Sequence, residues 1–183
     1  MLLNFLQKLA ETEWSVALHE SLWVWPLVES THVLTLTLFA GTAMLFDLRL
    51  TGRALRSMPA ATVYERLLPW TQVGFAIMVA TGLLLFYATP VRNYQNIFFR
   101  AKMILMVLAA ANVWLFHRGI YRRVREWGDA PLPPHRARLA GYASLVLWAG
   151  IIISGRLIAY NWFDCDIQPQ PDFVNWAAGC VVP

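Results

Sequence analysis

This sequence is poor in charge. Only 14% of its 183 residues are Asp, Glu, Lys or Arg, against 58% hydrophobic, and its mean hydropathy is +0.47. Such usage lies well outside that of an ordinary soluble domain and places the chain in the membrane class. Cysteine is also scarce. Cys165 and Cys180 are the only two, and their spacing makes no zinc pattern. No glycine-rich phosphate-cradling motif is present, which excludes a self-contained nucleotide-dependent dehydrogenase, and there is no internal repeat. The N-terminal segment MLLNFLQKLAETEW interrupts its apolar character with Lys8, Glu11 and Glu13, so no cleavable signal peptide is expected. Insertion then falls to the first membrane helix.

What the chain has in quantity is apolar runs and aromatics. Four stretches reach the roughly 20 residues that a bilayer core requires: about Leu22–Leu48, Leu67–Ala88, Ile97–Phe116 and Leu139–Tyr160. Trp23, Trp25, Trp70, Tyr87, Trp114, Tyr160 and Trp162 gather near their ends, where amphipathic rings meet the headgroups. Ser21 can cap the first span, and Pro26 falls in its opening turns, where a missing N–H costs little. Ahead of it, Leu2, Leu3, Phe5, Leu6 and Leu9 recur at helical spacing. They predict a short interfacial helix within residues 1–20, a terminal helix packed on the bundle being the alternative.

The basic residues mark topology. Arg49, Arg53, Arg56 and Arg66 fall between the first two spans. Arg118, Arg122, Arg123, Arg125, Arg136 and Arg138 fall between the last two, around the stiff linker PLPPH at 131–135. The other connector carries only Arg92 before the basic start of the third span, and the tail is acidic at Asp164, Asp166 and Asp172. The positive-inside rule therefore puts both termini outside, in the periplasm of a bacterial inner-membrane protein. With charge confined to connectors, nucleic acid is not an expected partner. An oxidising compartment on that side predicts a Cys165–Cys180 disulfide looping the tail, with two free thiols as the alternative. The expected fold is an all-α four-helix transmembrane bundle at 21–161 with an outer tail at 162–183.

Ionisable groups inside a span are costly and tend to mark function. Taking Asp47, Arg66, His117 and Arg138 as the inner edges, the helical rise puts His32, Thr81 and Lys102 each ~22 Å up their helices, and Glu29 and Arg156 ~27 Å. Glu29 and His32 are three residues apart and share a helix face. Glu29 matches Arg156 in depth and opposite sign, which predicts a bidentate ion pair. His32 and Lys102 both lose proton affinity when desolvated, so something else is expected between them. A b-type haem answers: neutral imidazole ligates iron, and a cation pairs with a propionate. A proton relay through Glu29, His32 and Lys102 is the competing use, and a lone histidine bonded to a neighbouring helix is the structural one. His117, ~22 Å below His32, cannot share one haem with it and would serve at most a second site, with Asn112 or Gln72 nearby. His19 beside Glu20 is a weak metal pair, because adjacent helical residues diverge.

SLWVWPLVESTH, FAGTAMLFDLRLTG, TGLLLF at 81–86, FFRAK at 98–102, FH at 116–117 and GRLIAY at 155–160 together resemble bacterial four-helix membrane proteins related to the copper-resistance CopD family, over nearly all of residues 21–160. More distantly, His32, Phe99, Lys102 and His117 are placed similarly to motifs of HemJ-type protoporphyrinogen oxidases. That resemblance implies b haem and electron exchange with quinone, although Glu29, Arg156 and the cysteine-bearing tail depart from its pattern. The leading expectation is a haem b redox protein with His32 as axial ligand, Lys102 and Arg156 as propionate or second-site partners, and Glu29 orienting His32. Two other classes compete. One is a proton- or copper-linked transporter. The other is an anchor for a periplasmic protein bound through the aromatic tail. Gly74, Gly82 and Gly150 permit close helix contacts, within one protomer or between copies.

Overall fold

The computed structural model describes residues 1–160 and 162–180, so the last three positions of the tail, and residue 161 at the end of the predicted transmembrane unit, lie outside the described residues. Among the described residues every regular element is helical. In chain order they are α1 (Leu2–Ala10), α2 (Glu13–Glu20), α3 (Val24–Leu50), α4 (Ala60–Ala88), α5 (Pro90–Tyr94), α6 (Ile97–Leu115), α7 (Val124–Trp127), α8 (His135–Leu157) and α9 (Asp172–Ala178). A π-helical turn, Phe116–Ile120, and a 3₁₀ turn, Tyr121–Arg123, extend α6 towards α7. Four of these segments are long and apolar enough to cross a membrane: α3, α4, Ile97–Trp127 and α8. The chain is a multi-pass membrane protein built on a four-helix bundle.

Local chemistry explains most helix starts. The Ser21 hydroxyl accepts from the Val24 N–H at 3.0 Å, and the Asn96 side chain from the Phe98 and Phe99 N–H groups at 3.0 and 3.1 Å. Proline precedes the first residue of α4, α8 and α9 as Pro59, Pro134 and Pro171, and opens α5 as Pro90. Two spans run further than hydropathy suggests. α4 begins seven residues before Leu67 and α8 four before Leu139. A helix needs only its backbone ladder to continue past the apolar core, so polar turns such as Ala60–Arg66 remain helical.

The N-terminal segment is two helices rather than one. Thr12 breaks them, its hydroxyl capping α2 through the Ser15 N–H. Both pack on the bundle, with Leu6 and Ser15 buried and the Ser15 hydroxyl donating to the Tyr87 carbonyl at 2.9 Å.

Outward faces carry Leu34, Val73, Leu83, Ile104, Val107 and Val146, whereas the groups buried between the spans are mostly small or hydroxylated: Thr35, Ala40, Thr81, Ala109, Ser144 and Ser154. That distribution suits helices solvated by lipid, where close backbone approach replaces hydrophobic burial as the cohesive force. Gly74 is the tightest such approach. A Cβ there would lie 3.0 Å from the backbone N and Cα of Phe39 in α3. Gly74→Ala is therefore expected to lower stability by about 1–3 kcal/mol. Gly150→Ala, which meets only the tip of the Leu105 side chain, should cost clearly less. Thermal unfolding of the two variants in detergent compares them directly.

The order of helices around the bundle leaves one seam open. α3 packs on α4 and on α8, and α8 on α6, while α4 and α6 barely meet along their lengths.

Both arginine-rich connectors lie at one end of the bundle, and the N-terminal helices and the tail at the other. Cys165 and Cys180 form a disulfide, and the loop docks on the start of α6. The Arg100 guanidinium donates to the Tyr94 and Ala177 carbonyls at 2.9 and 2.8 Å, and Arg92 pairs with Asp164 at 3.6 Å. The 15-residue separation of the cysteines corresponds to about 3 kcal/mol of loop-closure stabilisation. Cys165→Ser is expected to make the tail protease-sensitive while the four spans keep their helical circular dichroism.

Candidate functional site

The common depth inferred for His32, Thr81 and Lys102 is matched by direct geometry. His32 Nδ1 lies 2.7 Å from Thr81 Oγ1. The Thr81 hydroxyl spends its own proton on the Ile77 carbonyl one turn back, at 2.7 Å, so it accepts from His32 and the imidazole carries its proton on Nδ1. The Nε2 lone pair is then unshared among the described residues. The ring packs against Gly82, where a Cβ would come within 3.3 Å of Cε1. Any larger residue there would push the imidazole off α4.

Lys102 crosses from α6 over another glycine. A Cβ at Gly155 of α8 would lie 3.7 Å from its Nζ. Its ammonium is close enough to act electrostatically on the His32 ring, and it makes no hydrogen bond or ion pair among the described residues. Two glycines on two helices thus admit two polar side chains from the other two. Among the described residues the layer holds an imidazole with a free nitrogen and a cation without a counter-ion, a combination suited to a ligand that is a metal centre on one side and an anion on the other.

Glu29 and Arg156 do not join it. Both are exposed, and they form no ion pair with each other. The Arg156 guanidinium instead folds back over Tyr160, 4.9 Å from the ring centroid, and donates to its hydroxyl at 3.2 Å. Equal depth does not imply equal azimuth, and these two side chains lie on the outside of the bundle. The group that orients His32 is Thr81, not Glu29. His19 packs edge-on against Trp25 and makes no metal pair with Glu20, and no group of three candidate metal-ligating side chains exists among the described residues.

A second candidate site, a largely apolar cavity holding a few polar groups, lies nearer the arginine-rich end, where hydropathy and spacing give little sign of it. The cavity, of about 620 Å³, is lined by α3, α4, α6, α8 and the π turn, with Phe46, Asp47, Tyr64, Asn112, His117 and Trp148 among its lining residues. His117 is saturated here: Nδ1 donates to the Val113 carbonyl at 2.8 Å, and Nε2 accepts from the Tyr64 hydroxyl at 3.1 Å. It has no nitrogen left for a metal. Asn112 lines the same space and donates to the Ala140 carbonyl, whereas Gln72 points away and is exposed. Asp47 is not the membrane-edge marker that its position suggests, for it is only 6% exposed and lines the cavity. Tyr64 is masked in the sequence because its turn has the polarity of a connector. A carboxylate flanked by Phe46 and Leu48 is the one sequence signal for Asp47.

The model of a family of unknown function, DUF6644, matches residues 24–161, which is three quarters of the chain and all four spans. The chain belongs to this family. No curated protein and no solved structure matches it. The likeness to CopD-related and HemJ-type proteins therefore finds no support among known proteins, and no residue role in this DUF6644 chain is taken from either. Its site stands on geometry alone.

Proposed function

We propose that this DUF6644 protein is a redox protein of the bacterial inner membrane that binds b-type haem in the half of the bundle away from the arginine-rich end. The observation that carries the reading is the Thr81-oriented imidazole of His32, whose Nε2 has no partner among the described residues of the bundle. An acceptor on Nδ1 is the usual companion of a metal-ligating histidine, since it fixes the tautomer and ring angle and raises ligand basicity.

His32 would supply the axial nitrogen and Lys102 the countercharge for a carboxylate edge of the group, while Gly82 and Gly155 keep the neighbouring helices clear of both side chains. When bound, haem would supply one-electron chemistry; the protein would set its position, its electrostatics and its shielding from water. The cavity nearer the arginine-rich end suits haem less well, because His117 is saturated and Asp47 would repel propionates.

The proposed orientation follows the arginine bias, with the basic connectors cytoplasmic and both termini periplasmic. The Cys165–Cys180 disulfide supports this, since such bonds persist in oxidising compartments. Electron exchange with quinone or with a periplasmic protein belongs to the same proposal. Trp162, Phe173 and Trp176 are exposed on the tail on that side.

The test is an absorption spectrum of the detergent-purified protein from cells supplied with haem. A Soret band with reducible α and β bands is expected. A colourless protein under those conditions overturns the reading.

A further inference from the structure

The cavity at Asp47 has the chemistry of a binding site that the haem proposal does not use. Asp47 lines this cavity, and its Oδ2 is fully buried and has no hydrogen-bond partner among the described residues. An orphaned buried carboxylate oxygen is costly unless something meets it. No cation among the described residues does so. No lysine or arginine lines the cavity, and the ion pair Arg92–Asp164 lies at the other end of the bundle.

The walls are aromatic. Phe46, Tyr64, Phe75, Trp114, Phe116 and Trp148 line the same cavity as the carboxylate, and the faces of aromatic rings attract a cation through their quadrupoles. A volume of about 620 Å³ lies within the range of drug-sized ligand sites.

The cavity also has an entrance. α4 and α6 touch near their ends, where Phe86 stacks on Phe99 at 5.7 Å and Tyr64 bonds His117 at 3.1 Å. Between these points they separate. Phe75 on α4 and Met106, Val113 and Trp114 on α6 line the cavity and are also exposed on the lipid-facing surface. The opening is therefore towards the bilayer, and a ligand arriving through it must partition into lipid.

We propose that this cavity binds a lipophilic organic cation, entering from the bilayer between α4 and α6 and paired with the free oxygen of Asp47. The charge selects for a cation, the rings for an aromatic or quaternary body, and the side entrance for a membrane-soluble one. The site is independent of His32, so either proposal can fail alone.

Tetraphenylphosphonium is the probe. Titrated into the detergent-purified protein and followed by quenching of tryptophan fluorescence, or by equilibrium dialysis of the labelled cation, it should bind saturably at one site per chain. Asp47→Asn should weaken binding by about tenfold or more, a loss of about 1.4 kcal/mol or more. His32→Ala should leave it unchanged. Ala110→Phe, which takes up space at a lining position of α6 while keeping Asp47, should also weaken binding and serves if Asp47→Asn does not fold. Equal affinity of wild type and Asp47→Asn, non-saturable uptake, or equally strong displacement by neutral triphenylphosphine oxide or a neutral quinone analogue would overturn the proposal.

Discussion

Arg49→Met is expected to destabilise the protein by about 2–4 kcal/mol, the balance of buried carbonyls left unsatisfied and of the desolvation cost recovered with the guanidinium. Arg49 has no solvent exposure at all. Its Nε donates to the Met58 carbonyl at 2.8 Å, and its Nη2 to those of Gly128 and Ala130 at 3.1 and 3.0 Å. One side chain from the end of α3 thereby ties together the two arginine-rich connectors, although they are far apart in the chain. Gly128 keeps a second partner in the Ala60 N–H at 2.9 Å, but the other two carbonyls depend on Arg49 among the described residues. Some of the loss is offset because Nη1, itself buried without a partner among the described residues, is removed with the guanidinium. Arg49→Lys separates the two duties of this residue. It keeps the positive charge that topology requires but loses the planar fork that reaches three carbonyls, so it should insert normally and still unfold early. Thermal unfolding in detergent and protease sensitivity at 52–59 and 128–134 would read both effects. A melting point for Arg49→Met indistinguishable from wild type would show that the connectors hold together without it.

His32→Ala is expected to abolish the Soret band altogether. An alanine offers no ligand, and His117, on the span Ile97–Trp127, is bonded at both ring nitrogens. Thr81→Val distinguishes ligation from mere packing. It preserves shape and leaves the imidazole in place, yet removes the acceptor that holds the proton on Nδ1. Loss of such a hydrogen-bond partner behind the ligand typically weakens metal binding about 10–100-fold, so haem should be retained poorly and with a shifted reduction potential. Lys102→Met should move the potential while keeping the band. An unchanged spectrum in His32→Ala would transfer the ligand elsewhere, and an unchanged potential in both Thr81→Val and Lys102→Met would remove the argument for this layer as a cofactor site.

Part of the candidate site is legible in the sequence. Depth along a helix is simply residue count times rise, so His32 and Thr81 can be assigned one level, and the 2.7 Å bond between them agrees. The same count misassigns Glu29 and Arg156, since a level says nothing about which way a side chain faces. Asp47 is misread for a different reason. A carboxylate followed by Arg49 near the end of an apolar run has the signature of a membrane boundary, and only the packing of Gly141 and Ser144 of α8 against the end of α3 shows it to be enclosed. Tyr64 escapes notice because hydropathy marks where the apolar core ends, not where the helix does.

Taken alone, the sequence determined the number of spans, the end of the bundle at which the arginines gather, the disulfide pair and the shared level of His32, Thr81 and Lys102. All of these follow from quantities local to the chain: transfer free energy along a window, charge in a connector, the presence of only two thiols, and a fixed rise per residue. The azimuth of each side chain, the bracing of the connectors by Arg49 and the opening between α4 and α6 were decided by tertiary structure. They depend on which helices are neighbours and how closely each pair approaches. That is set by contacts such as Gly74 against Phe39 and Gly150 against Leu105, between residues far apart in the chain.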